Sequence, residues 1–344
     1  MRPAGQYAAT GGDADVPPPA EGTMRAIVQD GYGSADVLRL THIPRPEVAG
    51  TEVLVRVRAA GLDRGTWHLM TGRPYAVRLA IGLRAPRKPV AGRDVAGTVV
   101  AVGPAVTRFS VGDEVYGVGP GSFAEYTVAR EDKLARKPVN LSFEQAAVVP
   151  ISALTALQGL SDVGRIERGH RVLITGASGG VGSYAVQLAK AFGAEVTGVC
   201  STAKLDLVRS LGADHVIDHT REDFADGAHR YDLILDIAGS PTVSRLRRAL
   251  TPAGTAVIAG GEGGGNVTGI GRQLRAVALS PFVRQRLAFF VSKERASDLE
   301  RLTVLIEAGK VTPSIDRTYP LERVPEAMRH LDAGKVRGKI AITL

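Results

Sequence analysis

Apolar and polar positions change their period once along the chain. From Met24 to about Ala129 the short period dominates: Val53, Val55 and Val57 alternate with Leu54, Arg56 and Arg58, the pattern of a half-buried strand. Turn residues recur at short intervals, as Gly92, Gly97, Gly103-Pro104, Gly112-Asp113, Gly117 and Gly119-Pro120. Short strands between frequent turns predict a compact antiparallel barrel. Near residue 150 the period lengthens. Arg171–Thr175 is a short apolar run ending in Gly176, and Val181, Ala185, Leu188 and Phe192 then follow at helical spacing, closed by Gly193. Residues 195–199, 214–218, Tyr231–Asp236, 254–260 and 286–291 read as further strands, with helices over 203–211, 242–250 and 296–308. Strand and helix in alternation predict a doubly wound parallel sheet. Residues 261–285 break the rhythm with a Gly-rich loop and an amphipathic piece over 274–279. The last stretch, 311–344, returns to short strands around one helix and is too small to make a core alone, so it is expected to rejoin the first domain. Residues 1–23 carry Pro17-Pro18-Pro19 and no period, which predicts a disordered tail.

Composition narrows the class. With 44% hydrophobic and 23% charged residues, an intrinsically disordered chain is excluded. The single cysteine, Cys200, rules out a disulfide framework and a four-cysteine zinc site, and makes a reducing, cytoplasmic compartment the expectation. Cys200 itself reads as a small buried residue rather than a nucleophile. The net charge is +8, from 34 Arg and 9 Lys against 35 acids. These charges are spread out, and the densest clusters (Arg84, Arg87, Lys88 and Arg245, Arg247, Arg248) have no aromatic residues between them. A solvated basic surface, or attraction for a phosphorylated cofactor, therefore explains the charge better than nucleic-acid binding. Stretches 145–161 and 172–189 are uncharged, but Pro150 breaks the first and four glycines the second, so no membrane insertion is expected.

The strongest chemical signal is Gly176-Ala177-Ser178-Gly179-Gly180-Val181-Gly182 between a strand and a helix. Gly176 and Gly179 let the backbone turn tightly beside a pyrophosphate, and Gly182 lets helix and strand pack closely. The helix N-terminus offers N–H groups and a positive dipole end to the phosphates. After the next strand an NAD enzyme would place a carboxylate for the ribose 2′-hydroxyl. This chain has Cys200-Ser201-Thr202-Ala203-Lys204 instead. Two hydroxyls and a cation suit a 2′-phosphate, which points to NADPH. Ser201 or Thr202 could equally cap the following helix.

At this point the chain resembles the medium-chain dehydrogenase/reductase superfamily. The resemblance runs from Met24 to the C-terminus and rests on residues 53–61 (VLVRVRAAG), 92–97 (GRDVAG), 112–117 (GDEVYG), 121–126 (GSFAEY), 153–156 (ALTA), 176–182 and 211–214 (LGAD). It implies a GroES-like β-barrel catalytic domain over 24–148, a Rossmann NADP-binding domain over 149–292, and a return to the catalytic domain over 293–344, with the active site in the cleft between them. Zinc enzymes of this superfamily take a Cys where this chain has Asp63, a His where Gly92 is followed by Arg93, and a second Cys near Pro150. The resemblance therefore points to the zinc-independent branch of quinone oxidoreductases and enoyl or alkenal reductases. That branch usually has Asn at the place of Asp63, so Asp63 is either an active-site contact or a turn residue. Tyr75, in the segment that would line the cleft, is either the proton donor, with water the other source of the proton, or a packed aromatic. Thr155 matches a family position beside the nicotinamide. Gly239, Gly260 and Lys339 match further cofactor positions. Strand 286–291 would be an edge that pairs in relatives across a two-fold axis, which implies a homodimer. The expected activity is NADPH-dependent reduction of quinones or α,β-unsaturated carbonyl compounds as small-molecule substrates. The alternatives are a metal-free NAD(P)-dependent alcohol or carbonyl dehydrogenase, and a non-enzymatic NADPH-binding protein of the zeta-crystallin type.

Overall fold

The computed structural model describes residues 22–260 and 271–344, so residues 1–21 of the expected tail 1–23 and the Gly-rich loop 261–270 lie outside the described residues, while Thr23 already belongs to the first strand. The N-terminal half is built from β1 (Thr23–Val28), β2 (Arg39–Pro44), β3 (Glu52–Leu62), β4 (Asp94–Val102), β5 (Glu114–Val118), β6 (Tyr126–Arg130) and β7 (Leu134–Arg136). The second half adds β8 (Arg171–Thr175), β9 (Glu195–Cys200), β10 (His215–Asp218), β11 (Tyr231–Asp236), β12 (Leu250–Ile258) and β13 (Arg286–Phe289), and the chain ends in β14 (Ile315–Pro320) and β15 (Lys339–Thr343).

The eleven-residue strand β3 organises the barrel. It pairs antiparallel with β4, β6 and β15, and the full order is β14-β15-β3-β4-β5-β7. The alternation seen in the sequence explains why. Val53, Val55 and Val57 are buried, whereas Arg56 and Arg58 are exposed. The C-terminal strands thus lie in the first sheet, parallel to each other.

The second sheet has the order β10-β9-β8-β11-β12-β13, every pair parallel. In strand succession this is 3-2-1-4-5-6, which puts the topological switch point between β8 and β11, where such sheets bind their ligands. Its strands are near-continuous apolar runs because helices cover the faces; Val172, Leu173 and Ile174 are fully buried. Element boundaries differ from the sequence pattern by a few residues. The strand expected at 254–260 begins at Leu250, and the helix expected over 203–211 is a short 3₁₀ turn followed by the helix Leu205–Ser210.

One hydrophobic cluster joins the two halves. Ala59, Ala96 and Tyr116 of the barrel pack with Leu157, Tyr184 and Leu299 of the second half. Buried hydroxyls reinforce the seam: Tyr116 donates to the Leu299 carbonyl at 2.7 Å and Tyr184 to the Val148 carbonyl at 3.0 Å. Among the described residues, no helix is long and apolar enough to cross a membrane.

Candidate active site

The glycine loop leaves β8 at the switch point. Gly176 sits at φ +66°, and a Cβ there would lie 2.7 Å from the Ala238 Cβ. A Cβ on Gly182 would come within 2.1 Å of the Gly176 carbonyl oxygen, so only glycine allows the helix Gly180–Ala191 this close to the loop. Gly179 is the N-cap of that helix and makes no side-chain capping bond, which leaves the first-turn N–H groups to a ligand. Val181 packs on the core, and Ser178 is buried with its carbonyl accepting from the Gly338 N–H at 2.9 Å. A bare helix N-terminus beside two side-chain-free positions fits a dinucleotide pyrophosphate.

The end of β9, where the sequence leads us to expect the cofactor ribose, carries no carboxylate. Ser201 is half-buried and makes no side-chain cap, so the capping alternative fails for it. Thr202 does not cap either; its hydroxyl donates to Asp218. That carboxylate is also held by Thr220, and these hydrogen bonds pull its pKa down to about 2. Thr202 is therefore engaged with a protein carboxylate rather than presented to a ligand. Lys204 reaches the other half of the molecule, donating to the carbonyls of Gly334 (3.1 Å) and Val336 (2.8 Å). Arg337, from the same stretch, donates back to the Ala203 carbonyl and to Asp206. Two cations thus converge beside Ser201. Burial, ahead of the neighbouring Arg337, accounts for the lowered pKa of Lys204. Arg337 was not anticipated, because only the fold brings 337 next to 204.

A cavity of about 340 Å³ lies between the halves, lined by His68, Pro74, Val77, Thr155, Gly260, Phe290 and Ser292 among others. Thr155 lies on the helix Pro150–Gln158; its hydroxyl donates to the Ile151 carbonyl at 2.7 Å and stands 3.1 Å from the Ser292 hydroxyl. Ser292, just past β13, had no signal in the sequence. Gly260 follows β12 so closely packed that a Cβ would meet the Ile237 carbonyl at 1.7 Å. Gly239 turns at φ +87° past β11 with open space around it. Arg272, also unanticipated, pairs with the buried Asp236 and donates to the Pro241 and Gly260 carbonyls, so a guanidinium stands across the ends of β11 and β12. Burial raises the pKa of Asp236, while Arg272 and the Thr175 hydroxyl oppose the rise.

Besides Thr202, three expectations need correction. Tyr75 does not line this cavity. It is 43% exposed in the short 3₁₀ turn Tyr75–Val77, with the Arg78 guanidinium over its ring, while its neighbours Pro74 and Val77 face the cleft. Asp63 is the N-cap of the helix Arg64–Thr71: one carboxylate oxygen accepts the Thr66 N–H at 2.7 Å and its hydroxyl at 3.1 Å, which is the turn alternative. Lys339 is only 1% exposed. Its ammonium donates to the Ser152 hydroxyl at 2.9 Å and lies 3.6 Å from Asp94, beneath the glycine loop rather than in it. A Cβ on Gly180 would sit 3.1 Å from the Lys339 Cδ. Asp94 is fully buried, accepts the Ile151 N–H at 3.0 Å and has one oxygen without a hydrogen-bond partner. Burial drives its pKa to about 7 against the pull of Lys339. Burial likewise pushes the Cys200 thiol to about 11, which suits a packing residue.

Among the described residues, no three His, Cys, Asp or Glu side chains group closely enough to hold a metal ion. A GroES-like barrel joined to a Rossmann sheet, with a dinucleotide loop at the switch point, defines a medium-chain dehydrogenase/reductase. Comparison with known proteins narrows this class. The family described as alcohol dehydrogenase GroES-like domain matches residues 49–139, and that described as zinc-binding dehydrogenase matches 211–342. A 2-methylene-furan-3-one reductase from Solanum lycopersicum is 36% identical over 98% of this chain and 83% of its own length. An NADPH-dependent alkenal/one oxidoreductase, chloroplastic, from Arabidopsis thaliana is 37% identical over 96% of this chain and 81% of its own. The solved quinone oxidoreductase from Coxiella burnetii superposes with a TM-score of 0.83 at 29% identity, covering 94% of this chain and 99% of that one. A mycobacterial structure complexed with NADPH superposes with a TM-score of 0.80 at 28% identity, over 93% of this chain and all of its own. The chain belongs to the medium-chain dehydrogenase/reductase superfamily, in its zinc-independent quinone and enoyl reductase branch.

Proposed function

We propose that this protein is an NADPH-dependent, zinc-independent reductase of quinones or α,β-unsaturated carbonyl compounds. The observation that carries the coenzyme preference is the convergence of Lys204 and Arg337 beside Ser201, at a strand end with no carboxylate. A 2′-phosphate wants donors and positive charge, and the pair can exchange backbone carbonyls and Asp206 for phosphate oxygens. The names of the reductases it resembles, and the NADPH in the mycobacterial structure, support the same reading.

Reduced nicotinamide, when bound, supplies a hydride. The chain's own part is to position the acceptor and hold its developing charge. The N–H groups at the start of helix Gly180–Ala191, with Gly176, Gly179, Gly180 and Gly182 giving backbone access, hold the pyrophosphate. Thr155, Gly239 and Gly260 border the nicotinamide end. Pro74, Val77 and Phe290 form an apolar wall for a conjugated acceptor. Ser292 donates a hydrogen bond from its hydroxyl to the acceptor carbonyl oxygen, the role that neither Asp63 nor Tyr75 is placed to fill. A conjugated acceptor spreads charge onto that oxygen, so a neutral donor suffices, and the final proton comes from water at the cleft mouth. The exposed Phe282 and Val291 flank β13, whose outer edge we assign to pairing with a second copy; a monomer by light scattering would refute that assignment.

The test follows loss of reduced-nicotinamide absorbance with benzoquinone, an alkenal, a vinyl ketone and a saturated ketone, with NADPH or NADH, and with a chelator in one set. Turnover of the conjugated acceptors, faster with NADPH and indifferent to chelator, is expected. Turnover of the saturated ketone alone, or tight NADPH binding without turnover, would overturn the proposal.

A further inference from the structure

The larger of the cavities around the segment 66–81 is not the cleft. It measures about 620 Å³, lies against the barrel, and shares no lining residue with the cleft cavity. Leu69, Ile81, Pro86, Val90, Val118 and Val128 give it apolar walls. Arg87, Lys88, Arg93, Arg130 and Lys133 line it too, against only Glu52 and Glu294. Arg93 and Glu294 neutralise each other, Arg130 is paired with Asp132, and the Lys133 ammonium donates to the Glu294 backbone carbonyl at 2.7 Å, so the charge offered to a ligand is that of Arg87 and Lys88. Arg87 and Lys88 are exposed at the rim.

The sequence shows the same bias. From residue 64 to residue 93 there are seven cations (Arg64, Arg73, Arg78, Arg84, Arg87, Lys88 and Arg93) and no Asp or Glu. Of these seven, Arg87, Lys88 and Arg93 line the hollow, and the two exposed ones, Arg87 and Lys88, place positive potential at its mouth. An inorganic anion would have no use for the apolar walls, and a neutral lipid none for the cations. A dinucleotide needs a bare helix N-terminus, and none lies here.

We propose that this cavity binds a single-chain anionic amphiphile, an apolar chain ending in a carboxylate, sulfate or phosphate. The head rests on Arg87 and Lys88, and the chain lies against Leu69, Ile81, Val90 and Val128. The site is distinct from the nucleotide cleft, yet it shares a wall with it: Leu69, Ala80 and Ile81 face this cavity, whereas His68, Pro74 and Val77 face the cleft.

The probe is decanoate below its micelle concentration, titrated by calorimetry into the full chain, with decanol and phosphatidylglycerol vesicles as comparison arms. Decanoate is expected to bind one-to-one and about tenfold more tightly than decanol, the scale of a charge-assisted contact. Arg87→Glu with Lys88→Glu removes that preference without weakening decanol, and Ile81→Trp blocks both ligands by filling the cavity. Both charge changes are on exposed side chains, and an unaltered thermal midpoint shows that the variant is folded. Equal affinity for decanoate and decanol, decanoate binding untouched by the charge reversal, or binding to vesicles but not to free decanoate would each overturn the proposal.

Discussion

Replacing Lys339 by Met isolates a carboxylate that is already expensive to bury. The methionine is unbranched and apolar, and fills most of the space of the lysine stem. What it removes is the ammonium 3.6 Å from Asp94, which has no exposed surface. With Lys339 in place, burial still raises Asp94 from the ordinary 3.8 to about 7. At about 1.4 kcal/mol per pH unit, that displacement corresponds to about 4 kcal/mol. Because the folded value is the higher one, the stability Asp94 contributes is complete below pH 3.8 and is lost as pH rises through about 7. Without Lys339 the folded value climbs further, and the loss continues above pH 7 in the variant when it has ended in the wild type. The extra destabilisation of Lys339→Met should therefore be small at acidic pH. It should grow by about 1.4 kcal/mol per pH unit above neutrality, towards the roughly 3–5 kcal/mol typical of a broken buried pair. Urea unfolding followed by circular dichroism across the neutral and alkaline range measures it. The double variant Asp94→Asn, Lys339→Met should abolish the pH dependence. A penalty for Lys339→Met that is constant with pH, or that shrinks as pH rises, would refute the assignment of Asp94 as the uncompensated group.

Three further outcomes follow from the site. Gly182→Ala forces a Cβ against the Gly176 carbonyl, so it should cost about 1–3 kcal/mol in stability and weaken NADPH binding in a fluorescence titration. Lys204→Ala and Arg337→Ala should each raise the KM for NADPH about tenfold or more while leaving the KM for NADH near its original value, since each removes a charge-assisted contact to the 2′-phosphate alone. Ser292→Ala should lower kcat by about ten- to a hundredfold with the KM for NADPH unchanged; an unchanged kcat would show that the Ser292 hydroxyl does not serve the acceptor oxygen.

Much of the molecule was legible in the linear pattern, for local reasons. Periods of two and of about 3.6 reflect which face of an element is buried, so the barrel strands around Val53–Val57 and the alternation from Arg171 onward could be read before any coordinates. The glycine loop was legible because its constraint is also local: Gly176 and Gly182 serve a turn and a helix only six residues apart. Coenzyme class followed from the missing carboxylate after β9, again a near-neighbour feature.

What the sequence could not determine depends on residues that are far apart along the chain. Lys339 looked like a cofactor ligand because it lies in a stretch that returns to the cleft. Only the packing of β15 beside β3, whose other neighbour is β4, shows its ammonium held by Ser152 and Asp94. Tyr75 was placed in the right segment, yet the short turn it occupies swings its ring outward and gives Pro74 and Val77 to the cavity. Arg337, Arg272 and Ser292 carry no motif of their own; Arg337 meets Ala203 and Ser292 meets Thr155 across more than a hundred residues, and Arg272 reaches Asp236 from the other side of β12. Periodicity records only whether a side chain faces inward. Which charges and hydroxyls then share one cavity is set by strand order and by the close-packed seam between the halves, and neither leaves a trace in local spacing.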